Sequence, residues 1–421
     1  MGNYSLLLLF MISATKLLTC LGRHLPLEDQ VIEGSDTTRY SIVFDVSSSR
    51  TKMEIYKINV DVPPIDVTDV QQLDPSPSKV KPGIADLAGY PTAVEGYLKP
   101  LLDSAKRTVP EQKHKSTPLF FLATAGMRLL SQEQANDILD EARRVFSNKN
   151  KCPFMFNPKD ARIISGAFEG IYAWVTVNFL LGNFIPGNSA STYGILDVGG
   201  ASHQNTFENP GTDAFPMTVG GKKYDLFARS YLGYGMDQAR KQYLEFLSQQ
   251  SIKTDAGNDI IKSPCHHKGF EEQITIRSVE ISLVGTASVD ACRSIIQKTF
   301  FCTDTPNCPF YDQPRLHGDF YAFSGIFYVA RDTGMICSSC TKNLSTAMFD
   351  QSSRKFCAKR YEDVSSNPYA KNVCFESNYI YELLTKGYDL SSDKMIQVGN
   401  ELGGFSLGWT LGAMLKNSKL L

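Results

Sequence analysis

The sequence predicts an α/β protein assembled from two related lobes, and three observations carry that expectation. Apolar runs of strand length alternate with amphipathic helical patterns. Two strand–loop–strand segments, at residues 40–58 and 193–208, each end an apolar strand in an aspartate and turn through mostly small residues. The chain has 421 residues, too many for one small core and enough for two or three packed units.

Taken in order, residues 6–14 are an apolar run behind a short polar start, too short to span a bilayer comfortably. They predict a secretory signal peptide over residues 1–21, cleaved near Cys20. Leu17, Leu18 and Leu21 prolong the apolar character across Lys16, which leaves an uncleaved anchor as the alternative. Residues 22–38 are polar without a period, so the folded body is expected to begin near Arg39. Residues 40–45 and 52–60 read as strands around a tight loop at 46–49, and the Pro-rich, acidic residues 61–85 read as a surface connection. A buried strand at 119–123 ends in Thr124-Ala-Gly-Met-Arg128 and precedes a helix over 132–146. A short strand at 162–165 leads through Gly166 into a helix over 169–181. Residues 193–198 and 204–208 then repeat the first hairpin around Gly199-Gly-Ala-Ser202. The final apolar stretch, 407–415, is broken by glycines and followed by Lys416 and Lys419, so no stable membrane anchor is expected after cleavage.

Charge excludes one class of partner. With 43 basic and 44 acidic residues, the chain has no global field drawing it onto nucleic acid or an anionic membrane. Ten cysteines behind a signal peptide point instead to an oxidising compartment with structural disulfides, for which Cys302 with Cys308 and Cys357 with Cys374 are the best local pairs. Removal of Cys20 would leave nine cysteines, one of them unpaired or intermolecular. Cys337-Ser-Ser-Cys340 has redox or zinc spacing but reads first as two structural half-cystines, and His266-His267 beside Cys265 lacks a second metal-binding cluster. Asn343-Leu-Ser345 is a glycosylation sequon expected on an exposed loop.

The two hairpins carry the chemistry. Loops of Gly, Ala and Ser let backbone N–H groups approach a phosphate, and an aspartate at each strand end can orient the waters of a hard divalent cation. Two such loops facing each other would clamp a polyphosphate, whereas a single one is more simply a tight turn. No Gly-x-x-x-x-Gly-Lys-Ser/Thr phosphate loop is present.

Five segments resemble, in order, those of the apyrase family, the nucleoside triphosphate diphosphohydrolases. They are Ile42-Val-Phe-Asp-Val-Ser-Ser-Ser-Arg-Thr51, Ala123-Thr-Ala-Gly-Met-Arg-Leu129, Ile164-Ser-Gly-Ala-Phe-Glu-Gly170, Leu196-Asp-Val-Gly-Gly-Ala-Ser-His-Gln204 and Gly408-Trp-Thr-Leu-Gly412. The resemblance implies the two-lobed, ribonuclease H-like fold shared with actin, heat-shock ATPases and sugar kinases. Its active site would lie between an N-terminal lobe at 37–166, completed by 404–421, and a C-terminal lobe at 167–403. It also implies Glu169 as general base, Ser202 and Gln204 as the groups that position water, and Ca2+ or Mg2+ held through water by Asp45 and Asp197. Ser48, Ser49, Thr124, Gly199, Gly200 and Ala201 would line the phosphates, and the guanidinium of Arg50, though outside the family pattern, could add a phosphate contact. Phe327 or Tyr328 would stack on the base and Lys386 would cover it, while Trp409 would close the cleft or pack the last helix.

Three positions depart from the family pattern. Ser47 stands where glycine is usual and could crowd the loop, Arg50 replaces a smaller polar residue, and Phe168 is bulky beside the expected base. The expected activity is removal of terminal phosphates from nucleoside tri- or diphosphates, ATP and ADP among them, outside the cell. Lumenal UDP or GDP hydrolysis, a sugar-kinase-like transfer and silent nucleotide binding stand as alternatives.

Overall fold

The computed structural model describes residues 37–59, 65–209, 211, 214–253, 259–301 and 308–421. The expected signal segment with Cys20 lies outside the described residues, as does Cys302 of the expected Cys302–Cys308 pair.

The first sheet contains β1 (Thr38–Val46), β2 (Thr51–Asn59), β3 (Val70–Leu73), β4 (Lys79–Val80), β5 (Leu119–Ala123) and β6 (Ala161–Ile163), in the order β3-β2-β1-β5-β6 with β4 beside β2. Side chains alternate across β1. Ile42, Phe44 and Val46 join one core with α1 (Val94–Thr108) and α3 (Gln132–Ser147), while Val43 joins another. Coverage of both faces explains the continuous apolar run. The single turn α2 (Ala125–Arg128) follows β5. Residues 61–85, expected as a plain surface connection, contribute β3 and β4, because the open edge of β2 pairs backbone groups whatever the side chains.

After α4 (Gly166–Leu180) come β7 (Gly194–Val198), β8 (Ser202–Glu208), β9 (Phe215–Val219), β10 (Lys222–Leu232) and α5 (Met236–Ser248). A small side sheet of β11 (Ile252–Lys253), β12 (Asp259–Ser263), β13 (Glu271–Ile276) and β14 (Val279–Gly285) precedes α6 (Val289–Phe300). The chain continues through β15 (Phe320–Ser324), α7 (Gly325–Asp332), β16 (Lys342–Ser345), α8 (Thr346–Cys357), α9 (Ala370–Glu382) and β17 (Met395–Val398). It ends with the ribbon β18 (Glu401–Leu402) and β19 (Phe405–Ser406), then α10 (Thr410–Asn417).

The second large sheet runs β16-β17-β15-β7-β8-β10-β9. Its stretch β10-β8-β7-β15-β17 repeats β3-β2-β1-β5-β6, with two antiparallel pairings followed by two parallel ones in each. The duplication visible in two short hairpins therefore extends to both sheets, giving a two-lobed α/β fold.

α4 and α10 fill the core that the sheets share, where Val43 and Leu122 of the first meet the same cluster as Ile195 and Phe323 of the second. Buried on nearly all sides, α4 has no polar face to reveal it as amphipathic. Trp409 belongs to this core at 4% exposure and packs the last helix. A Cβ on Gly412 would lie 2.0 Å from the Tyr172 carbonyl oxygen, and the Gly412 N–H donates to Thr176 Oγ1 at 2.9 Å, so glycine permits the contact between α10 and α4.

Disulfides join Cys265 to Cys292, Cys337 to Cys340 and Cys357 to Cys374. By loop-closure entropy the first and third each contribute roughly 3 to 4 kcal/mol and the short second loop about 2 kcal/mol. Cys265 is thereby removed from any metal site, and His266 bonds Ser263 at 2.6 Å and stacks on Phe270. Asn343 is exposed as expected, but on the edge strand β16 and not on a loop. Among the described residues, no helix is long and apolar enough to cross a membrane.

Candidate active site

Asp45 and Asp197 occupy equivalent places near the ends of β1 and β7, each beside a parallel neighbour, β5 and β15. The loops that follow them converge. A Cβ on Gly200 would lie 2.9 Å from Ser48 Oγ and 2.4 Å from Asp237 Oδ2, so the absence of a side chain at 200 lets the loop of one sheet approach that of the other. Ser48 is equally confined on its own lobe, where a Cβ on Gly83 would meet its carbonyl oxygen at 2.2 Å and one on Gly126 its Cα at 2.7 Å.

Internal bonds hold both loops. The Ser47 N–H and hydroxyl both donate to the Arg50 carbonyl, at 3.0 and 2.9 Å, so the extra side chain closes its own turn and does not enter the space before the loop. The buried Thr124 donates its N–H to the Val46 carbonyl at 3.0 Å. On the second lobe, the first N–H groups of α5 donate to the Gly199 and Gly200 carbonyls. Among the described residues, the N–H groups of Ser48, Ser49, Gly200 and Ala201 donate to no backbone carbonyl, which leaves them the donors suited to a phosphate.

Beside the loops lies a buried polar cluster. Ser165 caps α4 by accepting from the Phe168 N–H, which puts Glu169 in the first helical turn. Gln204 Nε2 donates to Ser202 Oγ at 2.7 Å, Ser230 Oγ at 3.0 Å and Glu169 Oε2 at 3.3 Å. Arg128, at the end of α2, donates through Nη2 to Glu169 Oε2 at 2.8 Å and Ser202 Oγ at 3.2 Å, and through Nη1 to the Ile164 carbonyl. Glycines again set the approach, because a Cβ at Gly166 would collide with Ser230 and one at Gly170 with Thr206 Oγ1. Phe168 points elsewhere, edge-on to Phe215.

Three carboxyls here are held above their ordinary range. Burial pushes Glu169 up to about 8, with Arg128 opposing and Asp197 and Asp45 adding to the rise. Burial raises Asp45 to about 7 against the attraction of Arg50, and raises Asp197 to about 6 against a hydrogen bond from Ser324. Asp45 Oδ1 and Arg50 Nε are buried without partners. Two such carboxylates, one with an unsatisfied oxygen, would suit a hard cation that keeps several of its waters, although no group of three or more potential ligands gathers among the described residues.

The base-recognition expectations separate. Phe327 is 2% exposed inside the second-lobe core, so its ring offers no open face and it leaves the base-binding set. Tyr328 is 36% exposed, with the Arg331 guanidinium 5.0 Å from its ring centre. Lys386 is exposed on the turn after α9. Arg128, Ser230 and Ser324 meet the site residues without having been expected there. Arg128 stands inside a recognised segment, whereas only tertiary contact identifies the other two.

The profile of the GDA1/CD39 (nucleoside phosphatase) family matches residues 31–421. Ectonucleoside triphosphate diphosphohydrolase 1 of Bos taurus is 31% identical over 432 residues, covering 90% of this chain and 81% of that protein. Ectonucleoside triphosphate diphosphohydrolase 3 of Mus musculus is 29% identical, covering 90% and 78%. Among solved structures, the nucleoside triphosphate hydrolases of Neospora caninum superpose with a TM-score of 0.68 at 13% identity, covering 91% of this chain and 93% of theirs, a likeness of fold.

Proposed function

The chain belongs to the GDA1/CD39 (nucleoside phosphatase) family and is a nucleotide phosphohydrolase; from that premise we propose that it acts outside the cell as an apyrase, cutting ATP and ADP to AMP with Glu169 as general base. The observation that carries this reading is the buried contact of Glu169 with Gln204 and, through Arg128, with Ser202, beside two converging loops.

Glu169 accepts a proton from water as the water oxygen forms its bond to the terminal phosphorus and the bond to the leaving nucleotide oxygen breaks. Ser202 and Gln204 orient that water. The free N–H groups of Ser48, Ser49, Gly200 and Ala201, with Thr124 and Arg50, hold the phosphate oxygens while their charge redistributes. Asp45 and Asp197 would hold Ca2+ or Mg2+ through its waters, and the ion would supply neutralisation of phosphate charge. Tyr328, half-exposed beside the Arg331 guanidinium, offers a ring against which a base stacks.

Export is supported by the disulfides and by relatives whose names mark them as ecto-enzymes. Confinement of the Ser47 hydroxyl to its own turn favours catalysis over silent binding. Phosphate release from ATP, ADP, UDP and GDP, with Ca2+, Mg2+ or EDTA, tests the reading against a Glu169→Gln control. Cation-dependent release that collapses in the control is expected; full release in the control or in EDTA overturns the assigned roles.

A further inference from the structure

Of the three disulfides among the described residues, two are interior: Cys265, Cys292, Cys357 and Cys374 are all 0% exposed. Cys337 and Cys340 are both exposed, on the connection between α7 and β16. Their bond closes a loop only three residues in sequence separation, the span over which a cross-link restrains an unfolded chain least. The loop already has its own supports. The Cys340 N–H donates to the Cys337 carbonyl, Lys342 Nζ donates to the Met335 carbonyl at 3.2 Å, and Ile336 is seated in the core. A cross-link that adds less restraint than the interior pairs and faces solvent has the accessibility that thiol exchange requires.

We propose that Cys337–Cys340 is a thiol–disulfide exchange site, a second chemistry on this chain that takes a dithiol as its reactant. Ser339 distinguishes the two sulfurs, since its Oγ lies 3.9 Å from Cys337 Sγ and can donate to a thiolate formed there. The dithiol's thiolate attacks Cys340 Sγ, the Cys337–Cys340 bond breaks and Cys337 leaves as the thiolate. The second thiol of the reactant, deprotonated, then attacks its own sulfur in the mixed disulfide and releases Cys340. Two electrons pass from the dithiol, which becomes a disulfide, to the cysteines, which take up its two protons. None of these residues belongs to the Glu169 cluster, so hydrolysis is expected to continue through the cycle.

The test titrates folded, oxidised protein with dithiothreitol, blocks thiols with iodoacetamide and locates the modified cysteines by peptide mass spectrometry. Cys337 and Cys340 are expected to label at a dithiothreitol concentration at least tenfold below that opening Cys265–Cys292 and Cys357–Cys374. A Cys337→Ser/Cys340→Ser double variant is expected to consume no reductant in that range and to keep the parent's phosphate release. Opening of all pairs together, or of Cys337–Cys340 only under denaturing conditions, overturns the proposal.

Discussion

At Glu169, burial and the two neighbouring aspartates together exceed the pull of Arg128, so the carboxyl keeps its proton up to about pH 8. A general base works ionised. Phosphate release at subsaturating nucleotide should therefore climb across neutrality and level off above about pH 8, while a profile flat over that range would remove Glu169 from the role. The same shift has a stability sign. Between the ordinary carboxyl value of 4.5 and about 8, the folded state binds the proton and the unfolded chain does not. Stability from this group is present at the acid end and is lost as pH rises, at about 1.4 kcal/mol per unit inside the window. Glu169→Gln should flatten that slope in denaturant titrations at stepped pH and lower phosphate release by roughly 10²- to 10⁴-fold. Ser47→Gly should leave release within about twofold while costing roughly 0.5–1.5 kcal/mol, because it deletes a turn hydrogen bond and not a ligand contact. A large gain in release would restore the crowding argument.

At the scale of elements, α4 and α10 matter most, because one carries Glu169 and the other holds it in place from the chain's far end. Gly412→Ala would drive a methyl into the Tyr172 carbonyl, so a loss of about 1–3 kcal/mol is expected by thermal unfolding. An unchanged melting temperature would show that α10 can shift without cost. Glu54 on β2 makes the second attachment, accepting from Lys52, Tyr56 and Thr410 of α10. Burial alone would raise its carboxyl, but the Lys52 charge and these hydrogen bonds hold it below the ordinary range. On the second lobe, Cys357→Ser with Cys374→Ser should cost about 2–5 kcal/mol, since that cross-link ties α8 to α9.

At the scale of the molecule, two repeated sheets share one core through α4 and α10, and their loops face each other across the site. A ligand spanning both loops binds the folded form alone. Nucleotide with Ca2+ at about a hundred times its dissociation constant should therefore stabilise the Glu169→Gln variant by about 2.7 kcal/mol, read as a shift in unfolding midpoint. No shift with cation present would argue against a site built from both lobes. A cation held by Asp45 and Asp197 would relieve the repulsion among these carboxyls and Glu169, so the shift should shrink in EDTA.

Much of this was legible in the residues. Strand patterns placed β1, β5 and β7 because both faces of those strands are apolar, and the two Asp-tipped hairpins, whose turns join β1 to β2 and β7 to β8, announced the duplicated sheets. Glu169, Ser202 and Gln204 could be named from local motifs, since each lies within a short recognisable segment. Phe327 could not be told from Tyr328, because adjacent ring residues on one short helix are distinguished only by which of them the core covers. Nor could Arg128 be matched to Glu169, Ser230 to Gln204 or Thr410 to Glu54: each pair joins distant parts of the chain, and only packing brings them within reach. Sequence alone determined the α/β class, the paired loops and the chemistry available to them. Tertiary structure decided which side chains meet, which of them face solvent and how far burial raises their proton affinities, because those properties depend on what surrounds a residue in space.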